Sequence, residues 1–364
     1  MKNNKPTLGK RITLNVFNKY VNAQSQLHDL SYLFWECTLR CNINCLHCGS
    51  DCHKNSEVKD MPAADFLEIT KQISTKYNPN KVMVVITGGE PLMRKDLEKV
   101  GLALYHQGYP WGFVTNGYML NQVRFRNQIN FGLRSITLSL DGFEESHDWL
   151  RGKEGSYKKA LSALKFITSE KDLVYDVVTC VNQKNIGELG ELKNWLIRNN
   201  VKKWRLFTIS PIGRAFAEPL LDISDKQMLQ LMDFIKETRK EGLIQASYGC
   251  EGYLGNYEKE VRDGFYFCRA GVNIASVLAD GSIGACPNIN HSFVQGNIYQ
   301  HNFLEIWDTK FQKYRDRSWT KKGKCANCDS FKWCHGNGMH LQDPEQEDVL
   351  RCHHEMICSA NDKN

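Results

Sequence analysis

The sequence has 364 residues, 41% hydrophobic and 24% charged, the composition of a globular protein with room for one large domain and a smaller one. A formal charge of +6 is diluted over that length, and the basic clusters Lys202-Lys203-Arg205 and Lys321-Lys322-Lys324 lack an aromatic stacking set, so no nucleic-acid partner is expected. With no apolar run that could span a bilayer and no export signal in residues 1–30, no membrane partner is expected either; fourteen cysteines then imply a reducing, cytoplasmic location, where thiols are metal ligands more often than disulfides.

Residues 1–30 place Phe17, Tyr20 and Val21 at helical spacing among scattered basic groups, which predicts a short amphipathic cover helix. This segment falls short of the ~50 residues of an independent domain, and so cannot be a separate peptide-recognition domain. From residue 31 to about 210 strand and helix patterns alternate. Strands are expected at 32–36, 82–87, 112–115, 135–140, 173–181 and 203–209, and helices at 63–77, 96–107, 119–130, 156–169 and 186–199. Pro62 precedes the first helix, and Ala160, Leu161, Leu164 and Ile167 share one face of the fourth. Repeated βα units imply an α/β fold, a partial (β/α)6 TIM-like barrel. A helix over 225–240 follows, with Ser224 and Gln227 as a capping box, Gly242 as its stop and Met228, Leu231, Met232 and Ile235 as its core stripe.

After about residue 247 the pattern changes. Eight cysteines (250, 268, 286, 325, 328, 334, 352 and 358) fall among frequent glycines without long helical periods. This predicts a cysteine-rich domain that gains rigidity from metal rather than from a core. The expected division is a cover segment over 1–30, a barrel over 31–245 and a metal-stapled domain over 246–364.

Function gathers at the carboxyl ends of barrel strands. Just past the first strand stand Cys41, Cys45 and Cys48, one thiolate fewer than a closed site needs. Such a trio suits a [4Fe–4S] cluster with one open iron, or a zinc knuckle with a distant fourth ligand. The second strand ends in Thr87-Gly88-Gly89-Glu90-Pro91, where two glycines permit close approach to a ligand and Glu90 offers an acceptor for an ammonium group, or where a plain turn exposes a Glu. The third ends in Thr115-Asn116-Gly117. In the fourth, period two puts Thr137, Ser139 and Asp141 on one face, opposite Ile136, Leu138 and Leu140, which predicts a polar barrel interior. Arg151 lies in a Gly-flanked loop, suited to grip a carboxylate or to form a surface ion pair.

Cys41-x3-Cys45-x2-Cys48 followed in order by GGEP, TNG and SLDG resembles the radical S-adenosylmethionine (SAM) superfamily over roughly residues 31–210. The resemblance implies a [4Fe–4S] cluster on the three cysteines whose open iron binds the amino and carboxylate groups of SAM. It implies reductive cleavage of SAM to methionine and a 5′-deoxyadenosyl radical that abstracts a substrate hydrogen. Carried over by motif, His47 stands beside the adenine, Gly88, Gly89 and Glu90 receive the amino group, and Ser139 and Arg151 hold the carboxylate and ribose end. Asn116 and Asp141, in the TNG and SLDG motifs, are further cofactor-binding candidates.

The C-terminal half resembles the SPASM extension of these enzymes, which carries auxiliary iron–sulfur clusters. Cys268-x12-Gly281-x4-Cys286 is similar to its first half and Cys325-x2-Cys328-x5-Cys334 to its second, with Pro211-Ile212-Gly213-Arg214-Ala215 similar at the join. One position departs: where that pattern has a further cysteine this chain has Gly338. One reading closes a cluster with Cys325, Cys328, Cys334 and Cys352 rather than Cys358, leaving Cys268, Cys286 and Cys250 for a second. Another has a single auxiliary cluster of twitch type, and a third puts zinc in the Cys325–Cys334 knuckle. No role falls to Cys37 or Cys52, and Cys180 reads as a small apolar strand residue.

The resemblance implies a peptide or protein substrate and an external electron donor of flavodoxin or ferredoxin type. The leading expectation is a peptide maturase forming a crosslink, an epimer or an oxidised residue. An anaerobic sulfatase-maturing enzyme is the second, weakened because Cys286 is followed by Pro287 and Asn288 where that group commonly has an aspartate. A non-catalytic iron–sulfur protein for peptide binding or electron transfer predicts a degraded SAM site, and the motif residues are all present. No residue reads as a catalytic base.

Overall fold

The computed structural model describes residues 6–249 and 251–362; Cys250 lies outside the described residues. The chain opens with α1 (Leu8–Leu27), and β1 (Tyr32–Glu36) then leads into the cysteine loop. Next come α2 (Ala63–Ser74), β2 (Met83–Thr87), α3 (Leu97–His106), β3 (Trp111–Thr115), α4 (Gln122–Asn130) and β4 (Leu133–Ser139). α5 (Glu144–Arg151), α6 (Ser156–Ser169), β5 (Val174–Val181), α7 (Leu189–Arg198), β6 (Lys203–Thr208), α8 (Asp225–Glu241) and β7 (Gln245–Tyr248) complete the βα run. The sheet order is β10-β9-β8-β1-β2-β3-β4-β5-β6-β7. β8 (Ile274–Val277) is parallel to β1, as are β2 to β7 each to the last, whereas β9 (Ser282–Gly284) and β10 (Gly296–Asn297) extend the edge antiparallel. The parallel α/β barrel, open at both edges, is as expected.

The carboxyl end of β1 is fixed from outside the sheet. Trp35 stacks on Phe66 of α2 with ring centroids 4.3 Å apart, and the Arg94 guanidinium lies 4.9 Å from the Trp35 ring. The same guanidinium donates to the carbonyls of Cys37 (2.8 Å) and Met61 (3.0 Å), so the strand reaches the cysteine loop already anchored.

Two elements differ from expectation within the barrel. Residues 144–151 form α5 rather than a loop, so Arg151 is the last residue of a helix. Its Glu-Glu-Ser-His-Asp-Trp-Leu-Arg sequence is amphipathic but poor in apolar residues, and the face it buries is Ser146, His147, Leu150 and Arg151. It holds because Glu144 and Glu145 complement the amino end and Gly152, at φ +58°, takes the left-handed turn that ends it. β7, four residues long, is too short to show a period.

The larger correction concerns the C-terminal part. Residues 274–315 do not depend on metal for a core: β8 to β10 join the main sheet. Phe303, Ile306 and Trp307 of α9 (Phe303–Thr309), with Phe311 and Tyr314, bury into the same core as Leu33 and Trp35. Strands of two to four residues leave no readable alternation. Beyond residue 318 the chain does run through single turns, among them α11 (Phe331–Cys334), which follows the four-residue α10 (Gln312–Arg315), before closing with α12 (His353–Asp362).

Candidate active site

Cys41, Cys45 and Cys48 sit in a loop stitched to four other segments. Cys41 N–H donates to the His53 carbonyl (2.8 Å), and Leu46 N–H to the Leu150 carbonyl (2.9 Å) at the end of α5. Arg214 reaches in from beyond β6, its Nε donating to the Cys45 carbonyl (2.9 Å) and its N–H to the Cys48 carbonyl (3.1 Å). The fourth tie comes from the glycine pair. Gly89 N–H donates to the Thr38 carbonyl (2.7 Å) and Glu90 N–H to the Arg40 carbonyl (2.9 Å). A Cβ on Gly88 or Gly89 would lie 2.2 Å from the Thr38 or Arg40 carbonyl oxygen, so these glycines meet the chain's own cysteine loop at a distance no side chain permits.

Burial keeps two of the three thiols, Cys41 and Cys45, protonated in the metal-free chain. It pushes Cys41 up to about 12 and raises Cys45 against the opposing pull of Arg151. Cys48 is lowered, chiefly by a hydrogen bond with the Cys52 thiol, and the Cys52 N–H donates to Cys48 Sγ (3.3 Å). Thiols of this kind lose their protons to a bound metal. Donors surround them: Asn116 Nδ2 stands 3.8 Å from Cys41 Sγ and Arg151 Nη1 3.8 Å from Cys45 Sγ. Among the described residues, Arg151 Nη2, Asn42 Nδ2 and His47 Nδ1 are buried without a hydrogen-bond partner. Three thiols ringed by unmatched nitrogens fit a cluster with a small zwitterionic ligand. Desolvation and the adjacent Arg151 hold His47 down to about 3, so its ring is a neutral, flat surface. No three Cys, His, Asp or Glu groups among the described residues are spaced to hold a single metal ion.

Two carboxylates face away from this ring. Glu90 is fully buried, accepting from Leu92 N–H (3.1 Å), Thr115 Oγ1 (2.9 Å) and Asn116 N–H (2.9 Å). It therefore braces the ends of β2 and β3. Asp141 is likewise fully buried, its Oδ2 receiving Arg151 Nε (2.6 Å) and its Oδ1 the Cys180 N–H (2.9 Å). Burial pushes Asp141 up, but Arg151 together with His147 and His47 more than offsets it and the carboxylate stays charged. Asp141 orients Arg151, which belongs to a buried pair rather than a surface one. Ser139, at the end of β4, is buried beside them.

The C-terminal thiols form two groups. Cys286, pushed up to about 11 by burial and then by Cys268, pairs with Cys268, whose Sγ faces the Met339 N–H at 3.5 Å. Cys325, Cys328, Cys334 and Cys352 make the second group, close enough that Cys352 is raised by burial and by the charges of Cys325 and Cys328. Cys334 responds in turn to Cys352 and Cys325. Cys358 lies apart, against His354. At the departure, Gly338, an added Cβ would stand 2.8 Å from the Glu251 carbonyl oxygen and 2.5 Å from the His340 ring, so a cysteine there would force its neighbours to shift.

A cavity of about 980 Å³ connects the two halves. His47 and Gly49 line one end and Cys268 and Cys286 the other, with Glu251 and Tyr248 between. Glu251 Oε2 accepts from Thr208 N–H (2.9 Å), Thr208 Oγ1 (2.7 Å) and Tyr248 OH (2.6 Å), and burial raises its pKa. Cys180 packs against the apolar cluster of Leu150, Ile209, Ala215 and Leu221, as a small apolar strand residue would, and also lines this cavity. The sequence reading missed Glu251, Arg214 and Cys52. Arg214 was within reach, because it lies in a quoted motif; Glu251 had no local signal, since its partners are 43 and 3 residues away.

Residues 35–196 match the family model of the radical SAM superfamily, and residues 268–329 that of an iron–sulfur cluster-binding domain, SPASM. The chain is 24% identical to an AdoMet-dependent heme synthase of Methanosarcina barkeri, over 83% of this chain and 89% of that one. It is 28% identical to the mycofactocin maturase MftC of Mycolicibacterium smegmatis, over 87% and 82%. In fold it resembles Streptococcus suis SuiB bound to S-adenosylmethionine, with TM-score 0.69, 18% identity and coverage of 95% and 82%. It also resembles anSMEcpe with bound AdoMet and a peptide, with TM-score 0.69, 18% identity and coverage of 92% and 95%. No helix among the described residues is long and apolar enough to cross a membrane. Motifs, fold and family models agree that the chain belongs to the radical SAM superfamily, as an enzyme with a SPASM domain whose cofactors are a [4Fe–4S] cluster with S-adenosylmethionine and auxiliary iron–sulfur clusters.

Proposed function

We propose that the chain modifies a peptide or protein substrate, with Cys41, Cys45 and Cys48 holding the SAM cluster and Arg151, Asn116, Ser139, His47 and the Gly88–Gly89 loop around SAM. Asp141 and Glu90 position those groups. Cys325, Cys328, Cys334 and Cys352 hold one auxiliary cluster, while Cys268 and Cys286, with Cys250 as a candidate third ligand, hold another. The bound cluster and SAM supply the 5′-deoxyadenosyl radical. The chain's own residues do the rest: Arg151, charged and fixed by Asp141, grips an anionic group; neutral His47 offers a flat surface; Glu251 presents an acceptor at the cavity wall. We also assign residues 31–245 to the barrel and 246–364 to the SPASM-like part, with β7 crossing that boundary and β8 to β10 returning to the barrel's sheet, and 1–30 as cover.

The observation that carries this reading is the cavity of about 980 Å³ between the two sets of thiols, ample for several residues of a chain. The relative MftC, named as a maturase, supports it. A sulfatase-maturing activity is less favoured, since Asn288 rather than an acid lines the cavity beside Cys286. A tetrapyrrole is the second reading, motivated by the heme synthase relative and by Arg205, Arg262 and Arg269 on a wall that also carries Phe34, Phe207 and Phe267. Anaerobically reconstituted protein with SAM and dithionite should form 5′-deoxyadenosine, faster with the product of any small neighbouring reading frame, whose mass should change. A response to an iron porphyrin and none to peptides would replace the first reading with the second.

A further inference from the structure

The face of α1 that points away from the protein is apolar. Leu8, Ile12, Val16 and Tyr20, each four residues from the last, and Leu27 are 52–75% exposed. The opposite face is fixed: Leu14 and Val21 are buried, Phe17 packs on Phe265 with centroids 5.3 Å apart, and Asn15 Oδ1 accepts from Trp333 Nε1 (2.8 Å). One face thus holds the helix in place while the other presents a stripe about 30 Å long with no covering element among the described residues.

Charge narrows the occupant. Residues 1–28 contain Lys2, Lys5, Lys10, Arg11 and Lys19 and no Asp or Glu, the first acidic residue being Asp29. Cations also border the helix: Lys259 lies 4.6 Å over the Phe265 ring and Lys332 4.4 Å over the Trp333 ring. Of the acids that meet the helix, Glu260 is paired with Lys10 at 3.5 Å, and Asp308 with His28 at 3.7 Å and Lys76 at 2.7 Å. A second copy of this chain would bring like charges together. An acidic amphipathic segment would match both the apolar stripe and its cationic border. Position names its source: Phe17, on the inner side of the same helix, lines the cavity. A segment lying on α1 is therefore one helix width from the cavity that holds the reacting residue.

We propose that the outer face of α1 is the docking site for an acidic, amphipathic segment of the substrate, distinct from the residue that is modified. The inference rests on the peptide or protein reading above. It gives the cover helix a recognition role although it is too short to be a domain.

The test uses reconstituted holoenzyme and a labelled synthetic helix with leucine on one face and glutamate on its flanks, followed by fluorescence anisotropy. Wild type should bind it at micromolar strength. The double variant Ile12→Asp/Val16→Asp should weaken binding at least tenfold, as should raising salt enough to shorten the screening length well below ~10 Å. A lysine-flanked version should not bind. Both altered side chains are solvent-facing, so basal formation of 5′-deoxyadenosine should be unchanged; Tyr20→Ser serves as a second, neutral variant and should also weaken binding. The docking site is overturned if the acidic helix fails to bind, or binds the variants as well as wild type. It is equally overturned if α1 substitution instead breaks a dimer, or if phosphatidylserine vesicles bind the wild type and the acidic helix does not. Failure of the peptide-substrate reading looks different: docking persists, but no peptide is changed in mass and none stimulates SAM cleavage.

Discussion

The loop of Cys41, Cys45 and Cys48 and the turns that carry Cys325, Cys328, Cys334 and Cys352 both gather thiols, but the chain holds them by different means. The first loop is tied by backbone hydrogen bonds to Gly89, His53 and Leu150, and by Arg214 to two of its own carbonyls. The second rests on single turns, steadied by such contacts as Asn337 N–H on Cys334 Sγ (3.2 Å) and Lys324 N–H on Asp348 Oδ1 (2.6 Å). A cluster with an open iron has one protein ligand fewer, so its scaffold must be set before the metal arrives. A closed four-thiolate set allows metal binding itself to supply folding free energy.

That contrast is broken or sharpened by exchanging ligands. Cys41→Ala/Cys45→Ala/Cys48→Ala should drop 5′-deoxyadenosine formation to background while far-ultraviolet circular dichroism stays unchanged and auxiliary iron remains by iron and sulfide analysis. Loss of all iron in that variant, with zinc retained, would refute auxiliary iron–sulfur sites. Cys325→Ser/Cys352→Ser should do the reverse, exposing residues 318–350 to limited proteolysis while basal SAM cleavage persists. Equal damage to both halves in both variants would erase the distinction. Next in size is Asp141→Asn, which leaves Arg151 buried beside no counter-charge. Breaking such a pair costs roughly 3–5 kcal/mol, read as a fall in the urea midpoint; Asp141→Asn with Arg151→Met should recover much of it.

The barrel was legible because its strands and helices are long enough to show their periods, and because the signals at Cys41–Cys48, GGEP and SLDG are contiguous. Legibility failed where a role depends on distant partners. Glu90 and Asp141 read as cofactor contacts from their motifs, and the bonds their carboxylates accept from Thr115, Asn116 and Arg151 across the fold carry no local signal. α5 has no apolar stripe, and its end is fixed by Gly152, where a Cβ would lie 2.2 Å from the Asn44 carbonyl of the cysteine loop. Short β8 to β10 escaped for want of length, and with them the fact that the C-terminal chain completes the main sheet.

Buried Glu90 gives the barrel side of the comparison a pH signature. Burial, only partly offset by its hydrogen bonds, pushes its pKa up to about 7. Its folded pKa exceeds the unfolded value of about 4.3, so its contribution to stability is complete below that value and lost as pH rises through 7. At about 1.4 kcal/mol per unit, this amounts to roughly 3 kcal/mol between pH 4 and 8. Glu36, also raised to about 7 by burial, adds a similar slope at the seam where it accepts from Ala279 N–H (3.2 Å). Urea titrations at pH 5 and pH 8 should show the loss, and Glu90→Gln should remove its share. An unchanged pH difference in that variant would assign the slope elsewhere.

The smallest effect tests the departure at Gly338. A side chain there meets the Glu251 carbonyl and the His340 ring, an overpacking that costs about 1–3 kcal/mol. Gly338→Ala should lower the thermal midpoint by a few degrees and leave the iron content intact. Gly338→Cys should restore the SPASM pattern on paper without adding a ligand, because its Sγ would have to displace the backbone that carries Glu251 from the cavity wall. Iron per chain should therefore stay constant in Gly338→Cys while turnover of substrate declines. A gain of iron would mean that the turns around Cys334 rearrange to take a fifth thiolate, and that this half is even more dependent on metal than its single turns imply.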